Sequence, residues 1–253
     1  MKVFRNTWQL FCRKGRETLR NPVFIMMGLA SPILYLTLFA PLLKNFAGSM
    51  GFPTDNILNV FVPGMLVMGA YTAGLFSGFG VIDELRSGVI ERFRVTPCSR
   101  FAILGGLVAT DLVAMLGVSV FFTLIALPFG FKPSFFGLLL LYILLSLLTI
   151  ICSAFGNAMG LITKNEDKFA PIVHGVNLPI MLLSGMLLPL ALAPNWLQIL
   201  AHFNPVYYIV EAARFLVAGD LTAPIVIQAF LITSALAAFV LFWGTRVFRK
   251  AVA

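Results

Sequence analysis

The sequence is poor in charge. Asp, Glu, Lys and Arg make up 11% of its 253 residues, against 60% hydrophobic residues, whereas a soluble domain covers itself with about 25% charged residues. That shortage excludes a water-soluble globular protein and requires lipid as the solvent. Histidine and cysteine are scarce too: His174 and His202 lie far apart, and Cys12, Cys98 and Cys152 are scattered. They offer no disulfide framework, metal-ligand spacing or nucleophile and base, so neither a catalytic residue nor a metal site is expected. A Gly-rich phosphate loop ending in Lys-Ser or Lys-Thr is missing, and no loop is long enough to fold into a nucleotide-binding domain. The chain should neither hydrolyse ATP by itself nor carry a cofactor.

What it does have is long apolar runs. Stretches free of Asp, Glu, Lys and Arg extend from Asn21 to Leu43, Asn56 to Ile82, Pro133 to Thr163, Phe169 to Val210 and Leu221 to Thr245, and a sixth, Phe101 to Phe131, is broken only by Asp111. A membrane helix needs about 20 apolar residues, and barrel strands are about ten residues of alternating character. The expected fold is therefore all-α and polytopic, with six transmembrane helices at about Val23–Leu43, Val60–Ile82, Phe101–Leu127, Phe135–Thr163, Phe169–Leu188 and Ala223–Thr245. The first apolar run is span-length, unlike the 7 to 15 residues of a signal peptide, and is expected to stay.

Lys and Arg set the orientation. Six precede the first span, four lie in Asp83 to Arg100, two in Lys164 to Lys168 and three after Thr245; only Lys44, Lys132 and Arg214 fall on the other side. By the positive-inside rule both termini are cytoplasmic, in an inner (plasma) membrane. The net charge of +8 lies along that cytoplasmic rim, where it suits anionic lipid headgroups and not nucleic acid.

Three non-spanning segments have their own character. Residues 1–22 place Phe4, Trp8, Phe11, Gly15 and Leu19 on one side and Lys2, Arg5, Gln9, Arg13, Arg16 and Arg20 on the other, the pattern of an amphipathic helix lying in the headgroup plane. Residues 83–97 repeat Leu85, Val89 and Phe93 at i, i+4 and i+8, with Glu84, Glu91, Arg92 and Arg94 on a polar face. Mixed charge of that kind suits another protein's surface better than lipid; the competing reading is a solvated turn continuing from the second span. Residues 191–220 are too apolar for an ordinary loop, and parity forbids one extra crossing. Pro194, Asn204-Pro205 and Gly219 punctuate them into two short helices, read as an outer re-entrant hairpin sheltered by protein.

Few polar groups remain to carry function. Asp111 is the one carboxyl inside a span, where a charge costs about 2.5–3.5 kcal/mol on the insertion scale. It is read first as a hydrogen bond to a neighbouring helix, then as a polar element of a substrate path. A proton relay comes last, since relays need several ionisable groups in series. Glu211 and Arg214, at i and i+3 on the second outer helix, form a structural ion pair. Trp196, Tyr207 and Tyr208 fit an interfacial aromatic belt. Gly69, Gly74, Gly78, Gly80, Gly105 and Gly106 favour close helix approach.

The ordered set of features resembles the permease subunit of type-2 ATP-binding cassette (ABC) exporters along the whole chain. The most specific pieces are Glu91-Arg-Phe-Arg-Val-Thr-Pro97, Leu183-Ser-Gly-Met-Leu-Leu-Pro189, Phe203-Asn-Pro-Val-Tyr-Tyr208 and Glu211 to Arg214, similar to daunorubicin-resistance and nodulation-type permeases. The resemblance implies a single transmembrane domain over residues 1–253 and a second permease copy, in a homodimer or a heterodimer. It also implies two separate cytoplasmic ATPase subunits that bind ATP and magnesium. Each would dock on a coupling helix, here the stretch bearing Asp83, Glu84, Arg86, Glu91, Arg92, Phe93 and Arg94. The cargo would be an amphipathic drug, antibiotic, lipid or lipid-linked glycan, and the outward direction rests on the resemblance. A secondary transporter driven by protons or sodium and a non-transporting membrane scaffold are the competing readings.

Overall fold

The computed structural model describes residues 57–88, 100–187 and 193–251, with positions 15, 34, 37, 38 and 190. The expected in-plane helix and the first span fall outside the described residues, Gly15, Leu34, Thr37 and Leu38 apart. All regular structure among the described residues is helical. The helices are α1 (Leu58–Leu75), α2 (Gly78–Arg86), α3 (Arg100–Ala126), α4 (Phe135–Thr163), α5 (Glu166–Leu183), α6 (Asn195–Ala201), α7 (Pro205–Ala218) and α8 (Pro224–Ala251).

Four segments among the described residues are long and apolar enough to cross a membrane: Leu58–Arg86, Ile103–Ala126, Phe135–Thr163 and Pro224–Arg249. α5 is shorter in apolar length. Three of its 18 residues are Glu166, Asp167 and Lys168, so its apolar part rises only about 22 Å against a hydrocarbon core of about 30 Å. The expected fifth crossing is thus matched by a helix that starts three residues earlier, on Glu166, and stops five residues sooner. Asn165 caps its start by accepting from the Asp167 N–H at 2.8 Å, and the two acidic residues favour the positive end of the helix dipole. At its other end the chain turns through Gly185 at φ 73°.

The second expected span is one apolar run but two helices. At the join the Ser77 N–H bonds back to Gly74 O, Phe79 to Phe76 O and Gly80 to Ser77 O. Ser77 Oγ also donates to Gly74 O at 2.8 Å. These tightened i→i+3 bonds, in a stretch containing Gly74, Gly78 and Gly80, account for the break.

α4 is the central post, packing against α1, α2, α3, α5, α7 and α8. Leu141, Leu144, Leu145 and Leu148 are buried along it. Lipid is as apolar as leucine, so close backbone approach, and not expulsion from water, must hold such helices together. Gly74 and Gly78 meet Gly156 and Gly160 across the contact. A Cβ on Gly78 would lie 2.3 Å from the Gly156 carbonyl oxygen, and one on Gly156 would lie 2.5 Å from that of Leu75. Gly69, grouped with these in the sequence, has nothing within 4 Å of its Cβ position.

The short helices follow their punctuation. Asn204 caps α7 by accepting from the Val206 N–H at 3.0 Å, with Pro205 in the first turn. Gly219 closes α7 at φ 94°, and the Asp220 N–H bonds to Phe215 O at 3.0 Å. α7 lies against α1, α4 and α8.

Candidate functional site

Polar side chains gather at three levels of this bundle. At one end, Asp83, Glu84 and Arg86 fall in the last turn of α2. α2 ends at Arg86 with Ser87 as its cap, and Gly88 turns the backbone at φ 71°; positions 89–97 of the expected amphipathic segment lie outside the described residues. A periodicity of Leu85, Val89 and Phe93 carries no information about that left-handed residue between them. Glu84, expected on the polar face, is instead buried. Arg86 is exposed and pairs with Glu166 at the start of α5. Glu91, Arg92, Phe93 and Arg94 lie outside the described residues.

At mid-bundle, Asp111 of α3 faces a polar stripe on α4. Ser153 Oγ donates to Asp111 Oδ2 at 2.5 Å, and Asn157 Nδ2 lies 3.5 Å from the same oxygen while donating to Ser153 Oγ at 3.0 Å. Ser153 and Asn157 sit one turn apart, so both reach the same neighbour. The Ser153 carbonyl also accepts from Ser77 Oγ at 3.4 Å. Asp111 is half-buried, and the hydrogen bonds lower the cost of a carboxyl group at this depth. Sequence reasoning missed Ser153 and Asn157, although two polar residues spaced i, i+4 in an apolar helix were a readable signal.

At the far end, Arg214 of α7 is 9% exposed and joins three partners. It pairs with Glu211, its Nε donates to Val60 O on α1 at 3.2 Å, and its Nη2 donates to Gly185 O in the turn after α5 at 2.7 Å. Burial pulls the guanidinium pKa down from its ordinary value, and the Glu211 carboxylate pulls it back up. Asn204 adds a second tie, with Nδ2 donating to Ile180 O at 2.9 Å. The Ile180 carbonyl in the last turn of α5, one of those a helix leaves without partners, and the Gly185 carbonyl in the turn that follows are thus satisfied from the cap of α7 and from α7. Beside this junction His202 packs against Tyr207 at 5.1 Å between ring centroids, and Trp196 and Phe203 are exposed.

Among the described residues there is no cluster of His, Cys, Asp and Glu that could hold a metal ion. What the described residues offer is an apolar bundle with a hydrogen-bonded carboxyl at mid-bundle and polar joints at both ends. Residues 5–217 match the family described as ABC-2 type transporter.

The chain belongs to the ABC-2 type transporter family.

It is 31% identical over 201 residues to a putative transport permease, ycf38, of Cyanophora paradoxa, covering 78% of this chain and 69% of that one. It is 29% identical over 223 residues to the inner membrane transport permease YadH of Escherichia coli K12, covering 85% and 81%. It is 24% identical over 201 residues to the daunorubicin resistance ABC transporter permease protein DrrB1 of Streptomyces coeruleorubidus, covering 78% and 70%. The ABC-2 match takes in the Asp111 cluster, the Arg86 end and the Arg214 junction, so all three levels belong to the permease fold.

Proposed function

We propose that this chain is the membrane-spanning half of an ATP-driven exporter that carries an amphipathic molecule, such as a drug, an antibiotic, a lipid or a lipid-linked glycan, by alternating access. Two permease copies pair in a bacterial inner membrane, each crossing it six times with both termini in the cytoplasm. A separate cytoplasmic ATP-binding cassette subunit binds ATP and magnesium and grips residues 83–97. α6 and α7, within residues 191–220, form the outer re-entrant hairpin.

The observation that carries this reading is the ABC-2 match over residues 5–217, which runs from the basic N-terminal segment to the outer helices. The placement of Arg86 at the end of α2, exposed and five positions before Glu91 in the sequence, supports a docking site at that end. Lys164 and Lys168 lie at the same end of the bundle as Arg86, whose partner Glu166 stands between them, and that charge is the cytoplasmic signature.

Co-expression with the cognate cassette ATPase tests it. The ATPase should co-purify with the wild-type permease, and reversing charge at Glu91 and Arg92 together should weaken that association or uncouple ATP hydrolysis from export. Undiminished export without any cassette ATPase would end the proposal.

A further inference from the structure

α5 is fastened along its first half, as far as His174, and again at and just beyond its far end, with a mostly exposed stretch from Gly175 to Pro179 between. Of its residues only Phe169 and Val173 are buried. Beyond them nothing lies within 4 Å of a Cβ placed on Gly175, and Val176, Leu178 and Leu182 are exposed. Pro171 and Pro179 each remove a backbone hydrogen bond from the helix, so its line depends on what holds the two ends.

Both ends are held by named contacts to elements that matter for the exporter reading. Along the inner half Arg86 pairs with Glu166, Phe79 meets Phe169 edge-on at 4.8 Å, and Phe76 meets His174 at 5.3 Å. All three belong to α2 or to the break before it, and α2 leads through Gly88 straight into the docking segment. At the outer end Asn204 and Arg214 hold the carbonyls of Ile180 and Gly185, and Gly64 of α1 sits against the Met186 carbonyl. The outer hairpin is therefore joined to the docking end through α5 as well as through α1 and α4, and of these three α5 has the fewest buried residues.

We infer that α5 is a strut between two clamps, with Arg86 and Glu166 as the positioning residues that pass a displacement of the docking segment to α7 and the outer end of α1. The inference rests on the exporter reading above. The inner ion pair is exposed, and exposed pairs add little to stability. Its worth lies in register: it is the polar contact that makes the first turn of α5 follow the last turn of α2.

The test uses the purified complex of permease and cassette ATPase, with nitroxide labels at Leu182→Cys, on the outer half of α5, and Leu231→Cys, on α8, in a background with Cys12 and Cys98 replaced. Both label sites are exposed. Adding ATP and vanadate should shift the label-to-label distance in the otherwise wild-type complex. Glu166→Arg, which breaks the pair from the α5 side, should abolish the shift while the ATPase stays bound, and Glu166→Asp should preserve it. A full shift in Glu166→Arg would overturn the strut and leave the exporter reading standing. A wild-type permease that binds no cassette ATPase would overturn the exporter reading and the strut with it.

Discussion

α4 and α5 are neighbours in sequence, joined only by Lys164 and Asn165, yet they are built to opposite ends. α4 is 29 residues long, about 43 Å of helix, and touches most of the other described helices with glycines where backbones must meet. α5 has two buried residues and two prolines. In lipid, small residues in the interface make a helix a fixed post, and their absence leaves it held only by whatever caps its ends. One region gives the bundle its shape; the other buries little of its surface against it.

Removing an end clamp should have the largest effect. Arg214→Ala strips two backbone carbonyls of a donor and leaves Glu211 without its partner at a half-buried site. A loss of about 3–5 kcal/mol is expected, read as loss of folded permease in thermal unfolding of the detergent-solubilised protein. Gly156→Ala comes next. Its Cβ would press on the Leu75 carbonyl at 2.5 Å, and overpacking of this kind costs about 1–3 kcal/mol. Asp111→Asn should cost less, about 0.5–1.5 kcal/mol, since an amide oxygen still accepts from Ser153. Export by that variant should persist without a pH gradient, and strict loss of gradient-driven transport would instead favour an ion-coupled carrier. Smallest, and opposite in sign, is Gly175→Ala on α5. With open space around it, alanine should stabilise by about 0.5–1 kcal/mol through the backbone entropy glycine gives up. A destabilisation as large as that of Gly156→Ala would erase the contrast between the two helices.

Local signals were readable before any fold was known. The bounds of α4 follow from Pro133 on one side and Lys164 on the other, where the chain leaves the helix at φ 53°. Asn204, Pro205 and Gly219 mark α7 because capping depends on neighbours in sequence. The i, i+3 pairing of Glu211 with Arg214 was likewise local. What escaped was what depends on tertiary contact. Nothing along the chain says that Ser153 and Asn157 turn toward Asp111, that Glu84 is buried, or that Arg214 reaches the carbonyls of Val60 and Gly185. The break at Phe76 and Ser77 was hidden inside an unbroken apolar run, because hydropathy is the same for a straight helix and a bent one.

The most direct test of ATP-driven export through an inner docking segment is photo-cross-linking from two positions, with benzoylphenylalanine replacing either Phe93 or Phe203. Phe203 is 83% exposed in the turn between α6 and α7, so it is available to any protein on that side. The account predicts an adduct with the cassette ATPase from position 93, changed in yield by ATP, and none from position 203. An ATPase adduct from position 203 and not from position 93 would contradict it.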